Sequence, residues 1–123
     1  MTLKETRSPF TLTWQPRYWP PPQADIRQVY GLCLTPQKQL VLVSKDGKDW
    51  TLPGGRPEAS ESPTDTLIRE VLEEACATVN RNTYLGAQRV DDTRTQSTYY
   101  QPRYLAHVEL QAFEPKFEML HRR

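Results

Sequence analysis

Hydrophobic residues along this chain follow two different periods, and each period predicts a different kind of element. Runs rich in β-branched and aromatic residues predict four strands: Ile26 to Leu34, Leu40 to Ser44, Thr83 to Val90 and Tyr99 to Leu110. The turn sequence Thr35-Pro36-Gln37-Lys38 indicates that the first two strands form a hairpin. Because Pro102 has no backbone N–H for a neighbouring strand, we expect the last strand to lie at an edge or to carry a bulge.

One amphipathic helix is predicted between these strands. Its apolar residues recur with a period of about 3.6 and form a stripe that should face a core: Leu67, Ile68, Val71, Leu72 and Ala75. Ser62 is the expected N-cap, Pro63 suits the first helical position, and Asp65 completes a capping box. Just before the helix, residues 50–55 predict a short extended segment, whose final glycine pair lets the backbone approach a ligand closely.

The two ends of the chain have no such periodicity. Five of the eleven prolines lie between Pro9 and Pro22, which predicts a stiff lead-in with polyproline character instead of a strand or helix. Its aromatic residues could pack against the domain or a second chain, or they could form a lid that stacks on a base: Phe10, Trp14, Tyr18 and Trp19. At the other end, Phe113 to Arg123 has the character of one or two helical turns.

Composition narrows the class of protein further. With 123 residues we expect one domain, at 23–123, behind a proline- and aromatic-rich segment at 1–22. Sixteen Lys and Arg against fifteen Asp and Glu give a net charge of +1, which gives no support to a nucleic-acid-binding arm. Apolar stretches are too short to span a bilayer or to form a signal peptide. The two cysteines lack disulfide or zinc spacing, so a reduced, cytoplasmic protein is expected.

The candidate chemistry lies on the polar side of the predicted helix. Glu70, Glu73 and Glu74 are spaced i, i+3 and i+4, so their carboxylates gather on one face. Like charges at this spacing cost about 0.2–0.5 kcal/mol per pair, and no structural benefit offsets that cost. Hard carboxylate oxygens are the ligands that Mg²⁺ and Mn²⁺ prefer, and these ions bridge phosphate substrates. Taken alone, the cluster would favour a solvated acidic face over a metal site.

The sequence around these glutamates favours the metal site. From Gly55 the chain runs through five residues to Glu61 and through seven more to Arg69-Glu70-Val71-Leu72-Glu73-Glu74. This segment resembles the Nudix box, G-x5-E-x7-R-E-U-x-E-E-x-G-U, in which U is aliphatic. Two positions depart from the pattern, because Cys76 occupies the place of a glycine and Ala77 that of a larger aliphatic residue. Both departures concern the turn that ends the helix and leave the charged positions intact.

The resemblance implies a fold and a reaction. The fold would be α/β (α+β in some schemes), a Nudix α/β/α sandwich around a mixed sheet, with a C-terminal helix that is shortened or cut off because only thirteen residues follow Leu110. The reaction would be Mg²⁺- or Mn²⁺-dependent hydrolysis of a nucleoside diphosphate linked to another group, with water attacking phosphorus. This chemistry is physically reasonable, since a metal both generates the nucleophile and polarises phosphoryl oxygens.

The same resemblance assigns roles to residues. Glu70, Glu73 and Glu74 would ligate the metal, with the Gly55 carbonyl completing the coordination and Glu70 also a candidate base. Arg69 would orient a glutamate, and Glu61 would be an outer or auxiliary carboxylate. Some members of the family use a further glutamate outside the box. Glu118 is the first candidate for that role here, and Glu114 is the second.

The substrate is less well marked. Arginines at 56, 89, 94 and 103 could meet phosphates. Tyrosines at 99, 100 and 104 could stack on a base or simply pack within strands. The candidates chosen for substrate contact are Arg56, Arg94, Arg103 and Tyr100. Residues 91–95 carry neither the proline typical of ADP-ribose hydrolases nor the tyrosine typical of dinucleoside polyphosphate hydrolases.

Three functions therefore remain open at this stage. The first is a hydrolase acting on a small nucleotide, without a membrane or nucleic-acid partner and with a possible homodimer through the N-terminal segment. The second is a Nudix-like sensing or interaction module without turnover, against which the intact charged positions argue. The third, an RNA-directed enzyme of the decapping type, is weakened by the near-neutral charge.

Overall fold

A computed structural model describes residues 3–21, 24–113 and 121–122 of the chain. Its elements follow one another in this order: β1 (Leu3–Arg7), β2 (Phe10–Pro16), β3 (Val29–Leu34), β4 (Val43–Ser44), β5 (Gly54–Gly55), α1 (Pro63–Ala75), β6 (Ala77–Asp92), β7 (Ser97–Leu110) and β8 (His121–Arg122). The two candidate auxiliary glutamates, Glu114 and Glu118, lie outside the described residues, as does most of the predicted C-terminal helical segment. Of that segment, Phe113 has no regular secondary structure and residues 121–122 form the extended β8, so the helical prediction is wrong for these described residues.

Six strands form the main sheet, in the order β1-β2-β6-β7-β3-β5. Strands β3 and β7 run parallel and the other neighbours run antiparallel, so the expected mixed sheet is confirmed. Strands β4 and β8 form a separate two-stranded pair. Within the described ranges α1 is the only helix, so the architecture seen there is α+β, with one helix on the sheet.

The core lies between α1 and the sheet. Leu67, Val71 and Ala75 of the helix are fully buried against the inward-facing residues of β3 and β7. A Cβ atom at Gly31 would lie 2.8 Å from Leu67 Cδ1, so the missing side chain lets the helix rest close to β3. This close packing fixes α1 firmly against the strand that neighbours the glycine pair of β5.

The apolar stripe of α1 is narrower than its sequence predicts. Ile68 and Leu72 are 43% and 53% exposed, so their expected burial is wrong. The polar residues Thr66 and Glu74 are buried on the helix instead. Glu74 accepts a hydrogen bond from the Gly54 backbone N–H of β5, so the buried face of the helix includes the side next to the glycine pair.

The ends of α1 are as predicted. Asp65 N–H donates to Ser62 Oγ at 3.1 Å and Ser62 N–H donates to Asp65 Oδ2 at 3.3 Å, which confirms the capping box. At the other end Cys76 adopts the left-handed conformation, with φ of 52°, and its N–H donates to the Leu72 carbonyl. The glycine-type turn of the Nudix pattern is therefore made here by a cysteine.

The prediction of an irregular lead-in is wrong for residues 3–16, which form the β1–β2 hairpin and extend the sheet alongside β6. The prolines do not interrupt this hairpin, because Pro9 lies in its turn and Pro16 is the last residue of β2. Residues 18–21, where the proline run begins, have no regular secondary structure.

The remaining strand predictions hold with changed limits. The hairpin after β3 forms through a Leu34–Leu40 bridge, but only Val43–Ser44 of the returning segment is a strand. The expected edge position of the last strand is wrong, since β7 lies between β6 and β3. Pro102 lies between Tyr100, which bridges to Ile26, and Arg103, which begins the pairing with β3, so no β3 partner needs its missing N–H; a bulge in β6 lies next to it.

Candidate active site

The glycine pair of β5 and the polar face of α1 meet at one end of the sheet. Gly54 N–H donates to Glu74 Oε1 at 2.8 Å, and Glu74 is only 8% exposed. This bond joins the helix to the strand across twenty residues of sequence. The box glutamate that is deepest in the fold therefore fixes the position of the glycine pair.

Gly55 lies directly against the carboxylate of Glu70. A Cβ atom at Gly55 would lie 2.5–2.7 Å from Glu70 Cδ and both of its carboxylate oxygens. Only a residue without a side chain leaves room for the carboxylate here. Burial raises the pKa of the Glu70 carboxyl, against the opposing effect of its hydrogen bond from Arg69.

Arg69 links the acidic residues of the site. Its Nε and Nη2 donate to Glu61 at 2.7 and 2.9 Å, forming a bidentate pair. Its Nη1 donates to Glu70 Oε1 at 2.7 Å and to Glu73 Oε2 at 3.2 Å. Its Nη2 also donates to the carbonyl of Arg56 at 3.0 Å. One guanidinium thus contacts Glu61, Glu70 and Glu73 and the backbone that follows Gly55.

Glu61 has a supporting position in this arrangement. Besides Arg69, it accepts hydrogen bonds from Thr66 Oγ1 at 2.7 Å and from Glu58 N–H at 3.0 Å. These donors, with Arg69 the strongest, lower the pKa of Glu61 to about 2. Glu61 is therefore ionised across the physiological range, and its contacts are those of an anchor for Arg69.

These residues border a cavity of about 550 Å³. Its lining includes three glutamates of α1 and the backbone that approaches them: Gly54, Gly55, Arg56, Glu70, Glu73 and Glu74. The site thus combines carboxylates, accessible backbone and a flanking arginine within one concave surface, which is the usual form of a small-molecule site.

The donor set suits a hard divalent cation, since carboxylate and carbonyl oxygens are what Mg²⁺ and Mn²⁺ bind. The Glu70 carboxylate lies next to Gly55 at the wall of the cavity. Among the described residues, however, no three Asp, Glu, His or Cys side chains are arranged to hold one ion. Glu70 is bonded to Arg69 and Glu74 to Gly54, so the residues fit a cation in kind but would have to reorient to bind it together.

The candidate substrate residues are dispersed. Arg56 lines the cavity. Arg103 stacks on Tyr30, with its guanidinium carbon 4.4 Å from the centre of the ring. Its buried Nη1 has no hydrogen-bond partner among the described residues, and burial lowers the pKa of Arg103. Arg94 pairs with Asp92 at 3.0 Å in the turn between β6 and β7, while Tyr100 stacks on Tyr18 at 5.8 Å. Substrate contact by these last two remains a prediction.

Sequence reasoning missed three residues that line the cavity: Gln28, Tyr30 and Lys45. Gln28 directly precedes β3 and Tyr30 is its second residue; Val29 and Tyr30 pair with Gly55 and Gly54. The available signal for Gln28 and Tyr30 was their spacing of two residues, which places both on one face of an extended segment. Nothing in the local sequence distinguishes Lys45, which reaches the cavity through the path of the chain after β4.

Comparison with known proteins identifies the family. The model of the Nudix domain matches residues 25–120, which is most of the chain, so this protein belongs to the Nudix family. Nudix hydrolases generally use divalent metal ions and act on small nucleotide substrates. No protein with a curated function matches the chain.

Solved structures show the same fold at low sequence identity. A variant of the pyrophosphohydrolase BsRppH from Bacillus subtilis matches with a TM-score of 0.73 and 24% identity, over 91% of this chain and 70% of that one. A MutT protein from Bacillus halodurans matches with a TM-score of 0.61 and 23% identity, over 77% and 65% of the two chains. An ADP-ribose pyrophosphatase from Streptococcus suis matches with a TM-score of 0.56 and 18% identity, over 78% and 69%.

Of the residues with described structure, none belongs to a helix that is both long and apolar enough to cross a bilayer.

Proposed function

We propose that this protein is a Mg²⁺- or Mn²⁺-dependent hydrolase that cleaves the pyrophosphate bond of a nucleoside diphosphate linked to another group. The observation that carries the proposal is the placement of Glu70, Glu73 and Glu74 around one cavity beside the Gly54–Gly55 backbone. The relatives named a pyrophosphohydrolase, a MutT protein and an ADP-ribose pyrophosphatase support pyrophosphate chemistry and differ in substrate.

In this proposal Glu70, Glu73 and Glu74 hold the cation together with the Gly55 carbonyl. When bound, a divalent ion lowers the pKa of a coordinated water and offsets charge on the phosphoryl oxygens. Arg69 keeps Glu70 and Glu73 in place through its Nη1, and Glu61 keeps Arg69 in place. Glu70 is the candidate base, because it lies at the cavity wall against Gly55. Glu118 is proposed as a further carboxylate of the site.

The atoms of the reaction balance without another reactant. The water oxygen forms a bond to one phosphorus and the bond from that phosphorus to the bridging oxygen breaks. The products are a nucleoside monophosphate and the phosphorylated remainder of the substrate. One water proton is taken up by the base and passes to solvent, and Arg56 is placed to contact the phosphates. A small nucleotide substrate and a cytoplasmic location are part of the same proposal.

The test is a screen of nucleotides in the presence of Mg²⁺ or Mn²⁺. It should include canonical and oxidised nucleoside triphosphates, nucleoside diphosphate sugars, ADP-ribose and dinucleoside polyphosphates. We expect release of a nucleoside monophosphate from at least one class, with one ¹⁸O atom from labelled water in a single product. Tight binding of a nucleotide without any turnover would contradict the proposal and favour a sensing module.

A further inference from the structure

A second cavity, of about 390 Å³, adjoins the one that contains the glutamates. It is lined by Arg27, Gln28, Arg56, Tyr99 and Gln101, and the two cavities share Gln28 and Arg56. These lining residues, all within the described ranges, contribute two guanidinium groups and two amides but no carboxylate. The carboxylate-lined cavity attracts cations, whereas its neighbour presents donors that suit an anion.

Arg27 is held in a defined orientation in the second cavity. Its Nε donates to Asp25 Oδ2 at 2.9 Å, and its guanidinium carbon lies 4.3 Å from the centre of the Tyr99 ring. Its backbone N–H donates to the Tyr100 carbonyl at 3.1 Å, which fixes it to β7. Asp25 offsets part of the charge, but its contact is to Nε, so within the described part of the chain the Nη donors of the fork remain for another acceptor.

Gln28 forms the boundary between the two cavities. The Tyr30 hydroxyl donates to Gln28 Oε1, so the acceptor end of the amide is occupied and its N–H₂ end supplies donors. Tyr30 is itself supported from behind by Arg103, which stacks on its ring at 4.4 Å. The boundary therefore presents hydrogen-bond donors, as does the cavity beyond it.

We propose that the second cavity is an anion subsite for a third phosphate, the one that follows the cleaved pyrophosphate, with Arg27 as its specificity-determining residue. The inference rests on the proposed function, because it places the scissile pyrophosphate beside the glutamates. Arg56, common to both cavities, spans from one phosphate to the next. The protein then prefers substrates with three or more phosphates to diphosphates whose second substituent is a neutral sugar.

The test compares Arg27→Gln with the wild type on matched substrates in Mg²⁺. The substrates are a nucleoside triphosphate, a dinucleoside triphosphate and a nucleoside diphosphate sugar with the same base, so that a terminal and an internal third phosphate are distinguished. We expect kcat/KM to fall about tenfold or more on one or both polyphosphates, as for loss of a charge-assisted hydrogen bond. On the nucleotide sugar the change should stay within about twofold.

Arg7→Gln is the matched control. Arg7 also makes a 2.7 Å Nε contact to a carboxylate two residues away, Glu5, but it lies on β1 and outside both cavities. Arg7→Gln should leave kcat/KM unchanged on all three substrates. Equal losses of Arg27→Gln on all substrates, or no loss on any, would overturn the inference.

A binding measurement separates this inference from the proposed function. Inorganic tripolyphosphate with Mg²⁺ should bind the wild-type protein in calorimetry, and Arg27→Gln should weaken that binding about tenfold or more whether or not the protein turns over any nucleotide. Unchanged binding by the variant overturns the anion subsite. Absence of turnover with normal, Arg27-dependent binding overturns the proposed function alone.

Discussion

Gly55 illustrates how one missing side chain shapes the candidate site. The atoms that a Cβ would meet there are all in the Glu70 carboxylate, at the mobile end of a side chain. The backbone of Gly55 does not have the positive φ found at Gly47 and Gly86, so another residue can adopt its conformation. A side chain at residue 55 would therefore displace the Glu70 carboxylate and leave the fold largely unaffected.

Gly55→Ala should accordingly separate stability from activity. We expect the free energy of unfolding to change by less than about 1 kcal/mol, because Glu70 can swing away and alanine restricts the unfolded chain. Turnover and Mn²⁺ affinity should each fall about tenfold or more, since the carboxylate is displaced from the cavity wall. Urea denaturation and metal titration measure the two effects; a large loss of stability with normal metal affinity would contradict this role.

Glu61 and Arg69 show a second residue-level effect, in which a carboxylate acts through its partner. The folded protein holds the pKa of Glu61 at about 2, against about 4.3 for an unperturbed glutamate. A lowered folded pKa contributes stability that is complete above the unfolded value and is lost as pH falls toward the folded value. The Glu61 contribution should therefore disappear between about pH 5 and pH 2.

Glu61→Gln is predicted to lower the free energy of unfolding at pH 6, with the difference from wild type narrowing as pH falls through that window. Urea denaturation at a series of pH values measures it. Glu58→Gln is the control, because the Glu58 carboxylate is 69% exposed and 3.6 Å from Arg69. A difference that stays constant from pH 6 to pH 2 would show that the ionised carboxylate is not what stabilises Arg69.

At the scale of elements, α1 was predicted well at its ends and less well along its length. The capping box is local, so the sequence of Ser62 to Asp65 was enough to predict it. The buried face of the helix includes Glu74 and leaves Ile68 and Leu72 exposed, and the bond from Gly54 to Glu74 joins segments twenty residues apart in sequence. The β1–β2 hairpin was missed for a similar reason, because its partner β6 begins more than sixty residues after β2 ends.

The end of α1 gives a prediction at this scale. Cys76 holds the left-handed conformation, which costs a residue with a Cβ about 1–2 kcal/mol, whereas glycine loses about 0.5–1 kcal/mol more in chain entropy on folding. Cys76→Gly should therefore raise the free energy of unfolding by about 0.5–1 kcal/mol. Cys76→Ala, which keeps the Cβ, controls for loss of the thiol. If Cys76→Gly is less stable than Cys76→Ala in thermal denaturation, the left-handed conformation of residue 76 does not limit the stability of the protein.

At the scale of the whole molecule, the candidate site joins residues that are distant in sequence. The acidic face could be predicted because one helix carries it within five residues. The second cavity could not, because it forms only where the segment leading into β3 meets β7, bringing Arg27 onto Tyr99. The proposed boundary near residue 22 remains a prediction, with the Nudix-domain match starting at residue 25.

Metal-dependent turnover by Glu73→Gln tests the central claim most directly. Glu73 is preferable to Glu74, because its side chain is 30% exposed and the substitution leaves the buried Glu74–Gly54 bond intact. Glu109→Gln, at an exposed position on β7, is the matched control. We expect Glu73→Gln to lose about a hundredfold or more of Mg²⁺-dependent nucleotide hydrolysis with an unchanged fold, and Glu109→Gln to keep it. Undiminished hydrolysis by a folded Glu73→Gln protein would contradict the assignment of this helix face as the catalytic metal site.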